Sequence, residues 1–279
     1  MNNLYWSIRR ELWENRSVYL APLIVGGVVL FGFFIGLAKL PGQLRAARPE
    51  NLHQIVESPY VIGAIMLMGA QLIVSIFYSL DALYGERRDR SVLFWKSMPV
   101  SDATAVLAKI IIPVLVLPLL TWALTVATGG VMFILSGVVL PANGLSASLV
   151  TSHLSLFDIA WYNFGHLVAF HGLWYAPLYA WLLLVSAWAT RVPFLWAVLP
   201  PAALVVIERL AFNSRITGAL LQRLFMGGPE PAGRASGMTM ESMMPTPDFV
   251  IRPGLWVGLA VTALLLFGTV RLRRSRGVI

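Results

Sequence analysis

The sequence predicts an all-α integral membrane protein with six transmembrane helices and both termini in the cytoplasm. Only 12% of its 279 residues are charged and 58% are hydrophobic. Soluble globular domains carry about 25% charged residues, so this chain could not cover a water-exposed surface of its size. Its apolar residues gather into runs that can cross a hydrocarbon core of about 30 Å, which takes about 20 residues of helix. The Lys and Arg residues then divide unevenly between the two sides of those runs, as the positive-inside rule requires.

Residues 4–16 open the chain as an interfacial helix. Leu4, Ile8 and Leu12 share one face and Trp6 and Trp13 another, while Arg9 and Arg16 blur the stripe. This stretch lacks the apolar core and cleavage site of a signal peptide, so the first hydrophobic segment is expected to remain in the mature chain. Spans are predicted at residues 18–40, 60–83, 103–128, 165–190, 192–210 and 255–270 of a single domain, 1–279. Ile110 to Phe157 contains no Asp, Glu, Lys or Arg. Gly129-Gly130 is expected to interrupt that run, leaving Val131–Leu140 either to extend span three or to lie in the interface. Residues 142–163 read as extracytoplasmic. Span five is short and carries Pro200-Pro201, whose freed backbone groups neighbouring protein must satisfy. Residues 211–252 read as an extracytoplasmic loop with an amphipathic helix in SRITGALLQRLF and a flexible linker after it. With the N-terminus inside, 13 Lys and Arg face the cytoplasm and 8 lie outside.

Several chemistries are disfavoured. A chain without cysteine has no thiolate catalysis or disulfide. No G-x-x-x-x-G-K-[ST] phosphate loop occurs, so the chain does not hydrolyse ATP unaided. His166 and His171 lie five apart with Asp158 upstream. Five residues of α-helix leave a net turn of about 140°, so the two rings are expected to diverge rather than share an ion. Met238, Met240, Met243 and Met244 offer thioethers of the kind that hold Cu(I), but a mobile hydrophobic loop explains them without a metal. Span interiors carry neutral groups such as Gln71, Ser75, Thr121, Thr125 and Ser186, while Asp81, Lys109 and Glu208-Arg209 read as span ends. Intramembrane catalysis and ion coupling therefore have no visible site. The formal charge of +8 is dispersed around apolar segments, which suits anionic lipid headgroups better than nucleic acid.

One cassette breaks the pattern. Tyr84–Asp102 reads YGERRDRSVLFWKSMPVSD, with five consecutive charged residues from Glu86 to Arg90. Charge alone would make it a positive-inside anchor. Behind the charges, however, come Val92, Leu93, Phe94 and Trp95, then Lys96, Met98 and Pro99. Bulky apolar side chains in a cytoplasmic loop cost solubility unless they enter a membrane interface or a partner's groove. Ser91–Met98 suffices for about two helical turns, Pro99 ends them, and Ser101 is a good cap for the next span. The predicted object is a short, stiff helix joined to two spans, suited to carrying force from a partner into the membrane.

LDALYGERRDRSVLFWKSMPVSDATAVLAKI resembles the cytoplasmic coupling segment of ATP-binding-cassette permeases of the type-2, exporter class. The matching positions are Glu86 and Arg87, Ser91 through Trp95, Ser97, Pro99, Val100, Ser101 and Lys109. RRELWENRSVYLAPL is similar to the amphipathic helix that opens the same class. Many members have Gly-Thr where this chain has Arg90-Ser91. The resemblance implies a permease subunit of an exporter in the bacterial plasma (inner) membrane, itself no enzyme and binding no cofactor. Two such subunits, identical or different, would pair in the lipid, and separate ATPase subunits carrying ATP and Mg would dock beneath. It implies an ATPase interface at Glu86, Arg87, Ser91, Leu93, Phe94, Trp95, Lys96, Met98 and Pro99, with Glu86 and Arg87 positioning the coupling helix. It also implies that Trp6, Ile8, Arg9, Arg10, Glu11 and Trp13 form an interfacial helix sliding along the inner leaflet. Read from the residues alone, two other functions stay open. One is a membrane-embedded enzyme or assembly factor using Asp158, His166 and His171; the other is a scaffold or sensor that transports nothing.

Overall fold

The computed structural model describes residues 3–92, 100–152, 154–226 and 249–275. Its elements in order are α1 (Asn3–Glu14), α2 (Ser17–Leu37), α3 (Leu40–Ala46), α4 (Leu52–Asp81), α5 (Tyr84–Arg88), α6 (Asp102–Ile111), α7 (Leu117–Ala142), α8 (Ser148–Thr151), α9 (Leu156–His166), α10 (Ala176–Trp188), α11 (Pro193–Phe212), α12 (Ile216–Met226) and α13 (Pro253–Ser275). No strand occurs among the described residues. Among the described residues, five helical stretches are long and apolar enough to cross a membrane: Ser17–Leu37, Pro49–Arg88, Asp102–Ala142, Pro193–Phe212 and Pro253–Ser275. A bent pair, Ser148–Trp174 with Ala176–Trp188, makes a sixth if it counts as one crossing. The chain is all-α and of membrane character.

Two stretches run longer than their hydropathy suggests. The second begins at Leu52 rather than residue 60, because Val56 and Glu57 are buried and continue the packed face of α4. The third does not stop at Gly129-Gly130, and Val131–Leu140 extends it. Gly129 lies against the Tyr60 ring, so the pair marks a close approach of two helices rather than a break. The 41 residues from Asp102 to Ala142 span roughly 60 Å at 1.5 Å per residue. Within them Ile112–Val116 forms a π-helical turn. Pro113 supplies no N–H and crowds the preceding turn, which explains why the ladder shifts there.

A second π-helical stretch, Leu167–Trp174, joins α9 to α10. Gly172 sits where a Cβ would come within 2.9 Å of the Val114 carbonyl, so the two π stretches touch through that glycine. The chain then bends by 43° at Tyr175 and ends α10 at Trp188. Val192, with φ 43°, turns it into α11. Of α11 only Ala197 is buried, and Trp181 Nε1 donates to its carbonyl. Pro200-Pro201 lies inside this continuous helix. The amphipathic segment expected after it is present as α12. Its start is capped by Glu208, which accepts from the Ile216 and Thr217 backbone N–H groups.

The two largest apolar cores among the described residues hold most of the bundle. One gathers Val29, Phe33, Tyr60, Met68, Met132 and Leu140 from α2, α4 and α7. Gly63 lets α2 approach, since a Cβ there would meet Val29 at 2.9 Å. The other gathers Val18, Tyr78, Ile110, Ile112, Tyr179 and Leu183, and α13 packs along α10 beside it. The second core lies directly above the cassette stem and α1.

Candidate functional site

α1 packs against α6, with Ile8 and Leu12 turned into the second core. Trp6 and Trp13 face out, and the Arg9 guanidinium lies 5.2 Å from one ring and 4.6 Å from the other. The face carrying Leu4, Ile8 and Leu12 is half-buried, and the buried positions beside it are Ser7 and Glu11. The inner face of α1 thus carries a carboxylate, and Glu11 is fully buried.

Around Glu11 four elements bring charged groups together. Lys109 Nζ, from α6, donates to Glu11 Oε1 at 2.8 Å and Oε2 at 3.0 Å, and lies 3.1 Å from Glu86 Oε1 of α5. Arg273 of α13 donates through Nη1 to Glu86 Oε2 at 2.6 Å and through Nε to Asp102 Oδ1 at 3.0 Å. Tyr78 Oη donates to Glu11 Oε2 at 2.9 Å. Arg10 Nη2 reaches Glu11 Oε1 at 2.8 Å and Glu86 Oε1 at 3.6 Å. Glu11, Glu86 and Asp102 thus face Arg10, Lys109 and Arg273, three charges against three. Such balance matters because an unpaired charge in this setting is costly to bury. At the rim, burial raises the Glu14 carboxyl against the pull of Arg10. Burial would lower Arg10, but its hydrogen bond and charge attraction to Glu11, with Glu14 and Glu86 beyond, leave it raised.

The five-residue charged run of the cassette divides in two. Arg87 is 6% exposed, and its Nη2 donates to the Ser186 and Ala189 carbonyls at 2.6 and 2.7 Å. A cation on the last carbonyls of α10 both satisfies them and complements the helix dipole. The Ser186 hydroxyl returns the contact, accepting from the backbone N–H groups of Leu83 and Tyr84 at 3.0 and 2.9 Å. Glu86 and Arg87, which the resemblance assigns to a partner's interface, are turned inward and engaged by this chain. They can position the segment; they do not form its outer surface. Arg88 and Asp89 face out and pair with each other at 2.9 Å. Arg90 adopts φ 60°, the left-handed region that costs a non-glycine residue about 1–2 kcal/mol. The Ser91 hydroxyl lies 3.4 Å from the Glu86 carbonyl and Val92 is buried. Leu93, Phe94, Trp95, Lys96, Met98 and Pro99 lie outside the described residues. Ser101 caps α6 as expected, accepting from the Thr104 N–H at 3.1 Å.

The sequence puts Lys109 at a span end and counts Arg273 among the 13 basic residues on the cytoplasmic side. Both are buried instead. The available signal was positional: Thr262, Thr269 and Arg273 recur on one face of α13, and that face is buried. The histidine geometry also differs from expectation. The π-helical stretch brings His166 and His171 to 5.8 Å between ring centroids, because a π turn, unlike an α turn, returns near its start after about five residues. Among the described residues, however, no group of three or more His, Asp or Glu side chains is arranged to hold a metal. Met238, Met240, Met243 and Met244 lie outside the described residues. No protein-family model matches this chain, and no curated protein or solved structure does either.

Proposed function

We propose that this chain is the membrane-spanning permease subunit of an ATP-binding-cassette exporter, working as a dimer and driven by separate ATPase subunits that dock on the cassette. The observation that carries this reading is the charge cluster. The cassette stem, the interfacial helix, the start of the third span and the end of α13 meet in one buried set of ion pairs, centred on Glu86 and Lys109. A push on residues 91–99 is thereby delivered to several spans at once, as a coupling segment requires. The sequence resemblance of the cassette and of residues 9–23 supports the same assignment, and the positive-inside count supports a cytoplasmic position for the cluster.

The test is purification of the tagged chain from its native membrane in mild detergent. An ATPase is expected to accompany it, read as Mg-dependent ATP hydrolysis. Replacing Phe94 and Trp95 by alanine is expected to weaken that association about thirtyfold, the scale of losing an aromatic hot spot of about 2 kcal/mol. If association and turnover both survive the double replacement, the reading fails.

A further inference from the structure

At the end of the bundle opposite the cluster, α2, α3 and α4 enclose a groove of about 780 Å³, within the usual 300–1,000 Å³ of ligand sites. Its walls are apolar, from Val28, Leu37, Ile62 and Met66. Gly32 and Gly36 line it too, and a Cβ built on either meets nothing within 4 Å. Their missing side chains are what keep the groove open. From Val28 to Lys39 the groove runs roughly 17 Å along the chain at helical rise, close to half of a hydrocarbon core of about 30 Å. Its depth is therefore that of one lipid leaflet.

Lys39 stands at its mouth beside Gln43. The two carboxylates of the segment between α3 and the start of α4 are paired, Glu50 with Arg48 and Glu57 with His53. Arg45 donates to the Asn143 carbonyl. Among the described residues Lys39 makes no ion pair. An apolar slot one leaflet deep with an uncompensated cation at headgroup level has the chemistry of an anionic amphiphile's site. We infer that this groove holds an anionic phospholipid, one acyl chain along Gly32 and Gly36 and the phosphate on Lys39.

The protein reconstituted in phosphatidylcholine vesicles with a minor fraction of phosphatidylglycerol, doped with a phosphatidylglycerol carrying a photoreactive acyl chain, tests this by mapping labelled peptides. Label is expected to concentrate in residues 28–40 and 55–66, to be lost from Gly36→Leu and from Gly32→Leu, and to persist in Gly69→Leu. Gly69 is an equally open position on α4 outside the groove. Lys39→Ala should keep the labelling but lose about fivefold in preference for phosphatidylglycerol over phosphatidylcholine. The inference is overturned if Gly36→Leu and Gly32→Leu label as strongly as the parent, or if label spreads evenly over all apolar helices. It is equally overturned if the groove takes no lipid and Gly36→Leu instead splits a dimer, which light scattering would show; a second copy would then be its occupant.

Discussion

Two lysines, Lys109 and Lys39, sit at opposite ends of the bundle and show how differently one side chain can be used. Lys109 is 1% exposed and faces two carboxylates of two other elements. Lys39 is exposed at the mouth of an apolar groove and pairs with none among the described residues. One charge can be buried because its surroundings neutralise it. The other stays at the surface, free for something that arrives from outside. The difference separates an internal fastening from a place of recognition.

Breaking the fastening should have the largest effect. Lys109→Met strands Glu11 and Glu86 beside each other and is expected to destabilise by about 3–5 kcal/mol, read as a drop in thermal unfolding in detergent. Lys39→Met should stay within about 0.5 kcal/mol of the parent; equal losses would erase the distinction. Adding Glu11→Gln to Lys109→Met is expected to recover part of the loss, since the two side chains are in contact and their effects couple. Ser186→Ala orphans two backbone N–H groups at the root of the cassette and should cost about 2 kcal/mol. Tyr78→Phe removes one donor from Glu11 while Lys109 and Arg10 remain, for about 1 kcal/mol. Opposite in sign is Arg90→Gly. It relieves a left-handed residue and is expected to stabilise by up to about 1 kcal/mol, the relief being partly offset by the freer unfolded chain.

Hydropathy located the membrane-crossing stretches well where they are short. α2 runs Ser17–Leu37 against an expectation of 18–40. α4 starts earlier than expected and α7 takes the longer of its two expected forms, because helix beyond the hydrocarbon thickness is held by packing, for which Glu57 is as good a face residue as Val56. Gly129-Gly130 misled for a related reason, since a glycine pair in a sequence can mean either a break or a close neighbour. Only Tyr60, 69 residues earlier in the numbering, decides which. The cassette stood out in the sequence as a charged run, but the split between Glu86-Arg87 and Arg88-Asp89 did not. Their partners, Arg273 and the Ser186 carbonyl, lie 187 and 99 residues away. Local pattern carries no trace of such separations. The histidine spacing was misread because α-helical periodicity was applied to a π-helical stretch, which no residue type announces.

The Ser186 contact carries a mechanical consequence. α4 is helical up to Asp81, yet the next two free backbone N–H groups, those of Leu83 and Tyr84, are tied to α10 by one hydroxyl, and Arg87 clasps the end of the same helix. The root of the cassette is thus tied to α10 by side chains while it continues the helical stretch of α4. Any displacement of that root would therefore be shared by three elements: α4, which leads into it, α10, which it is tied to, and α13, which packs along α10.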